Sequence, residues 1–201
     1  MKKTLVLLLS GLMISASVFA STEDTKKEKT VKIDAQNSKI EWHAKKVTGT
    51  HTGTVPVNSG TLILDNNKLK GGSFLIDVKE LVVTDVKDDN MNGKLTGHLK
   101  SDDFFSVEKN PQAKLVITGV TPTTGDGYEV TGALTIKGIT NTVKFPATVK
   151  TVGKKVTADA KVTVDRTKYD IKFRSSNFFE NLGDKAIMDD FTLDVSLVAA
   201  L

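Results

Sequence analysis

Among the residue types that carry chemistry, this sequence offers three histidines, scattered acidic side chains and no cysteine. The last fact excludes disulfides, thiolate nucleophiles, cysteine zinc sites and lipidation of an amino-terminal cysteine. What remains centres on His98, followed closely by Ser101 and Asp103. That spacing could supply a base, a nucleophile and an orienting carboxylate. The same residues serve a plainer purpose, because Ser101 is a good helix N-cap and Asp102 and Asp103 suit a first turn. No nucleophile elbow surrounds Ser101, and no second acidic partner brings a motif with it. A structural histidine that holds a helix to a rim is therefore preferred, with headgroup contact second and catalysis third.

The other candidates are weaker. His43 alternates onto a polar face with Lys39, Glu41 and Lys45 and reads as surface. His51 lies in a Thr/Gly run, residues 48–54, where no face can be assigned. The acidic run Asp85, Asp88 and Asp89 lacks the glycine and terminal glutamate of a calcium loop and reads as a solvated turn. No glycine-rich phosphate loop follows any strand. Neither a metal nor a cofactor is expected.

The elements that would position these residues are strands. Ile40, Trp42 and Ala44 share one face of a segment whose other face is polar. The same period of two recurs at Phe74, Ile76 and Val78, at Tyr128, Val130, Gly132, Leu134 and Ile136, and at Val143, Phe145, Ala147 and Val149. It is cleanest over residues 155–165 and 191–197. Period two with one dry face is the signature of a half-buried strand. With strands near Val31, Leu62 and Leu115, the chain reads as all-β with about eight or nine strands. Hairpin-length connections such as Asn66-Asn67 and residues 124–127 require antiparallel neighbours. A sandwich and a barrel both satisfy this pattern. A short helix over Asp88 to Leu99, with Met91, Leu95, His98 and Leu99 on its apolar side, favours a barrel with one end capped by an excursion over residues 88–106. Phe104 and Phe105 are free to point inward.

The ends and the charge bound the rest. Lys2 and Lys3 precede an apolar run from Leu5 through Ile14 that ends in Ser17-Val18-Phe19-Ala20, the pattern of a secretory signal peptide over residues 1–20, with cleavage expected before Ser21. That run is too short to span a bilayer, and no later one is longer, so no transmembrane anchor is expected after cleavage. Residues 21–30 are charged and nearly free of apolar side chains, a tether preceding a single domain over 31–201. The 28 basic residues, two of them in the signal peptide, face 24 acidic ones. Nucleic acid is thus an unsuited partner.

Small residues recur on the inward face: Ala44, Gly132, Ala147, Ala158 and Ala160 sit among Trp42, Phe74, Phe145 and Phe191. A barrel of this size can fill itself or hold one small ligand, and small inward residues favour the second. An apolar, uncharged lining selects hydrocarbon over sugar or nucleotide. Burying about ten methylenes yields a gross ~8 kcal/mol before association entropy is subtracted. A well-packed core remains the alternative.

Several segments resemble one family. Gly97 to Phe105 (GHLKSDDFF) looks like the HLxSxDFF segment of the YceI-like, polyisoprenoid-binding proteins of bacteria. Leu134 to Thr140 and Asp165 to Tyr169 support the likeness, and Phe178 to Lys185 is similar to one branch. The match covers essentially the whole chain after the signal peptide. Two departures concern the rim: Ser106 where the family usually has Asp, and Asp170 where many members have Gly. The resemblance implies an extended lipocalin-like barrel holding a long amphiphilic chain, of polyprenyl or isoprenoid-quinone type, in a periplasmic or otherwise exported protein. The expected tunnel lining is Trp42, Phe74, Ile76, Leu134, Ile136, Phe145, Phe191 and, as a neighbouring aromatic, Phe173. The expected rim and lid are Leu95, His98, Ser101, Asp103, Phe104, Phe105 and Arg166. A binding or carrier protein is the leading reading. A lipid-modifying enzyme using His98 with Ser101 or Asp103, and a stress-related envelope protein acting through a protein-binding surface, are the alternatives. The oligomeric state is open, a dimer included.

Overall fold

The computed structural model describes residues 28–201; the signal peptide and most of the tether lie outside the described residues. Eleven antiparallel strands form one curled sheet: β1 (Glu28–Lys32), β2 (Lys39–Lys46), β3 (Gly49–Thr54), β4 (Val57–Asp65), β5 (Lys68–Asp77), β6 (Val82–Val83), β7 (Gln112–Pro122), β8 (Gly127–Ile136), β9 (Ile139–Val152), β10 (Lys155–Asp165) and β11 (Ile187–Ala200), with one helix, α1 (Asp89–Lys100), between β6 and β7. Their order is β1-β4-β5-β7-β8-β9-β10-β11-β2-β3-β6. The residues following β1 join the two sides of the ribbon. The Ile33 N–H donates to Gly60 O, Asp34 N–H donates to Val198 O, and Ile33 bridges Ala199. The sheet thereby closes at this end.

The strands form where alternation demands them, because each buries one face: in β8, Tyr128, Val130, Leu134 and Ile136 are buried while Glu129 is exposed. Two hairpins turn on residues with positive φ, Asn66-Asn67 (49° and 63°) and Lys137-Gly138 (50° and 75°), the twist that tight antiparallel connections require. β1 starts at Glu28, inside the stretch read as a tether, since an edge strand needs main-chain pairing more than apolar side chains.

Two strands carry no period-two signal. β6 is too short to show one. β3 (GTHTGT) has no large apolar side chain because a neighbour fills that space: a Cβ on Gly53 would lie 2.5 Å from the Trp42 ring and 2.0 Å from Val82 O. Glycine lets the backbone slide beneath the indole.

The helix spans Asp89–Lys100, and Asp88 caps it by accepting from Met91 N–H at 2.8 Å. Ser101 does not begin a second helix. It closes this one: its Oγ donates to His98 O at 2.8 Å and accepts from Asp103 N–H at 3.3 Å, and residues 102–105 form a turn. Met91 is exposed, so only Leu95 and Leu99 of the expected apolar face reach the core.

Candidate functional site

The inward residues of nearly all strands surround a cavity of about 180 Å³. Trp42, Phe74, Ile76, Leu134, Ile136, Phe145 and Phe191 line it, as do Ala44, Ala147, Ala158 and Ala160. These alanines lie on β9, β10 and β2, within the run β9-β10-β11-β2 of the sheet, so shortened side chains gather on one side of the barrel. Gly132 adds no space, because the Leu115 side chain would sit 2.8 Å from a Cβ there. Val143, Val162, Val195 and Leu197 also line the wall; their inward parity marks them in the sequence as clearly as the aromatics. An empty space of this order is what an apolar ring or a few carbons of chain can occupy. The lining offers hydrocarbon contacts and no hydrogen-bonding array, which suits an apolar occupant.

At the far end from Asn66-Asn67, the barrel is closed by irregular chain. Leu99, Phe104 and Phe105 come from the helix and the turn after it, Ile171 from the segment that returns to β11, and Ile187 and Met188 from the first residues of β11. Phe105 meets Phe191 edge-on, with ring centroids 6.4 Å apart. Ile171 shows no periodicity because the chain between β10 and β11 is not a strand, and Ile187 and Met188 are separated from the alternating run of β11 by a register irregularity before Phe191.

Phe173 does not join the tunnel lining. It stacks edge-on against His98 at 4.7 Å, and His98 in turn meets Phe104 at 5.0 Å. Parity does not place this residue, and the non-repeating chain around it points its ring at the helix instead. His98 Nε2 lies 2.9 Å from Asp103 Oδ2. The three-part cluster ties the helix, the following turn and the 170–174 segment together.

The hydrolase geometry is not built. Ser101 Oγ is spent on a main-chain carbonyl, not on the His98 ring, and neither Ser101, His98 nor Asp103 lines the cavity. Leu95 packs at the core's edge without lining it. His51 is 2.9 Å from Asp85 and His43 3.0 Å from Asp194, so each histidine meets a single carboxylate. No group of three potential metal ligands occurs among the described residues. Burial alone would raise the Asp85 carboxyl, but the Thr52 N–H and His51 hold it below its ordinary value.

Arg166 is the polar centre of this end. Its side chain is 5% exposed. Nε donates to Met188 O, Nη1 to Ile171 O and Phe173 O, and Nη2 to Ile187 O and Asp189 Oδ1, at 2.7–3.2 Å. An arginine has five N–H donors, and all are committed here. Burial lowers its pKa, opposed by Asp189 and then Asp165, yet the five acceptors require the charged form. Arg166 therefore positions the returning segment and has no donor left for a headgroup.

The two departures at the rim have structural counterparts. Asp170 adopts φ 58°, the left-handed conformation in which glycine is unstrained, and its carboxylate pairs with Lys172 at 2.8 Å. That hydrogen bond, with the lysine's charge, lowers the Asp170 pKa. Ser106, at φ 49°, hydrogen-bonds Asp102 through its hydroxyl.

Comparison with known proteins converges on one family. The model of the YceI-like domain matches residues 31–199. A UPF0312 protein of Pseudomonas fluorescens is 29% identical over 179 residues, covering 86% of this chain and 88% of its own. Among solved structures, BcnA of Burkholderia cenocepacia superposes with a TM-score of 0.66 at 25% identity, over 83% of this chain and 99% of that one. A polyisoprenoid binding domain from Saccharophagus degradans superposes with a TM-score of 0.60 at 12% identity, over 85% and 97%.

Proposed function

The chain belongs to the YceI-like family, and from that premise we propose that it binds and carries a long-chain amphiphilic lipid, of polyisoprenoid or isoprenoid-quinone type, with the apolar tail in the barrel. The observation that carries this reading is the cavity of about 180 Å³, walled by aliphatic and aromatic side chains. Apolar burial drives such binding without specific polar contacts. The Saccharophagus degradans protein, a polyisoprenoid binding domain of the same fold, agrees with it. The space as it stands holds a segment of a long chain, so a full ligand requires the aromatic lid, Phe104 and Phe105 above all, to repack. An internal cavity also distinguishes a carrier from a protein acting only through its surface. His98, Ser101 and Asp103 are not positioned to transform a bound chain, and the reading is one of binding without catalysis. The signal-peptide pattern in residues 1–20 supports a carrier that works outside the cytoplasm, in the periplasm of a double-membraned cell.

Native mass spectrometry of protein purified from its own cell envelope, with lipid extraction of the same sample, tests the proposal. A co-purifying isoprenoid is the expected result. A ligand-free protein that also fails to take up polyprenyl or quinone lipids overturns it.

A further inference from the structure

The wall of the barrel is not zipped along its whole height. From their connecting turn, β9 and β10 pair from Val152 with Lys155 up to Ala147 with Ala160, and then part. Among the described residues, no main-chain hydrogen bond joins residues 139–146 to residues 161–165, although both segments stay paired on their other sides, to β8 and to β11. Pro146 and Lys161 occupy the first missing rung. A proline gives a ladder no donor and belongs on an edge strand, which is what β9 becomes from this residue toward the lid.

A second fork, between β5 and β7, is sealed. Those strands pair only over residues 73–77 and 112–116, and beyond that the Leu69 N–H donates to the Tyr128 hydroxyl, with both side chains buried. The fork between β9 and β10 is bridged only by polar side chains. Asn141 Nδ2 donates to Lys168 O at 2.9 Å, and Lys137 Nζ donates to Asp170 O at 3.2 Å and Asp102 O at 3.4 Å. Both banks of this fork face the cavity, through Val143 and Phe145 of β9 and Val162 of β10. Ala147 and Ala160, at the last rung, line both the cavity and a groove on the outer surface, so a single pair of alanines separates the two. Parting the strands above that rung breaks no main-chain ladder, whereas parting fully paired neighbours would break several hydrogen bonds at once.

We propose that the wall between residues 139–146 and 161–165 is a side portal, through which a chain too long for the cavity of about 180 Å³ enters and leaves sideways, with Lys137 and Asn141 as its latch. The inference rests on the carrier reading. The chain contains no cysteine, so a thiol cross-linker meets only an introduced pair. Lys144→Cys/Thr163→Cys, at exposed positions on the two banks, is closed with a short bis-maleimide. Thr163→Cys/Thr192→Cys, across the fully paired β10 and β11, receives the same cross-link as a control. Each protein is loaded with solanesol, a long polyprenol, and its displacement by excess N-phenyl-1-naphthylamine is followed by stopped-flow fluorescence. Closing the portal is expected to slow the exchange at least about tenfold, and the control cross-link to leave it unchanged. Lys137→Met/Asn141→Ala is expected to speed the exchange about fivefold, because it removes hydrogen bonds that must break on opening. An equal rate before and after cross-linking, an equal slowing in the control, or an unaltered rate in Lys137→Met/Asn141→Ala overturns the portal while the carrier reading stands. If the parent takes up no solanesol, the carrier reading fails and the portal with it.

Discussion

At the end of the barrel marked by Asn66-Asn67 and Gly153-Lys154, strands are joined by tight turns over a plug of Leu64, Leu69, Tyr128 and Val156, each 3% exposed or less. Even the main-chain N–H of Leu69, where β5 and β7 have ceased to pair, is satisfied by the Tyr128 hydroxyl at 3.3 Å. The opposite end is buried as fully at Val107, Val164, Tyr169 and Ile171, but its cover is irregular chain instead of tight turns between strands. It is covered by the helix, a turn and the chain from Arg166 to Ala186, held by five hydrogen bonds from one guanidinium and by an aromatic cluster around a histidine. Hydrophobic packing is non-directional and spread over many contacts, so the first end can fail only as a whole. The second is held by a few directional contacts, which can break and reform without unfolding the sheet. On the proposed carrier reading, the second end is the one through which a ligand would be exchanged.

Substitutions separate the two ends, and the largest effect is expected at Arg166. Arg166→Met leaves four carbonyls and Asp189 without their donor and should cost about 3–5 kcal/mol in chemical denaturation. Arg166→Lys should recover only a fraction, since an ammonium cannot serve five acceptors in that plane. A loss below about 1 kcal/mol would mean that the lid does not depend on this residue. At the plugged end, Leu64→Ala should cost about 2–5 kcal/mol while leaving the rate of ligand release unaltered. A faster release from this variant would erase the distinction between the ends.

The cavity itself is probed by Ala160→Leu, which places extra carbons into the space with a stability change within about 1–3 kcal/mol. Uptake of an apolar fluorophore should fall at least about tenfold; unaltered uptake would locate the ligand elsewhere. His98→Ala removes the ring between Phe104 and Phe173 and should cost about 1 kcal/mol while speeding ligand release. If melting temperature and affinity both stay the same, the histidine plays no part in the closure.

The smallest effect concerns acid. The Asp85 carboxyl is held below its ordinary value in the folded protein, so its contribution to stability is present above the ordinary carboxylate range and is lost as pH falls through the folded pKa. Asp85→Asn should lose that contribution at neutral pH and approach the parent's stability as pH falls below about 4, so that its acid limb is flatter. Denaturant titrations at a series of pH values read this directly, and an unaltered acid limb would remove Asp85 from the account.

Residue by residue, the readable and unreadable parts of the molecule divide along the same line as its two ends. Trp42, Phe145, Leu134 and Phe191 can be placed inside from parity, because a strand's side chains alternate whatever its neighbours are. β3 cannot, since its apolar neighbour is Trp42 from another strand and its own contribution is a glycine. Residue type alone draws Phe173 into the tunnel and gives no sign of Ile171, because chain without a repeat gives no direction to a side chain; Ile187 and Met188 are cut off from the alternating run of β11 by a register irregularity before Phe191. Ser101 is legible as a capping residue but not as the closing cap of α1, a matter of where the helix stops.

The amino-acid sequence by itself determined the all-β character, the inward face of most strands and the family, because alternation and short motifs are local properties. Only the tertiary structure decided that the interior keeps a cavity, that Ser101 turns away from His98 and that every Arg166 donor is taken. Those outcomes depend on atoms brought together from residues 40 to 197, and no local rule records which partner a side chain meets after the sheet has curled.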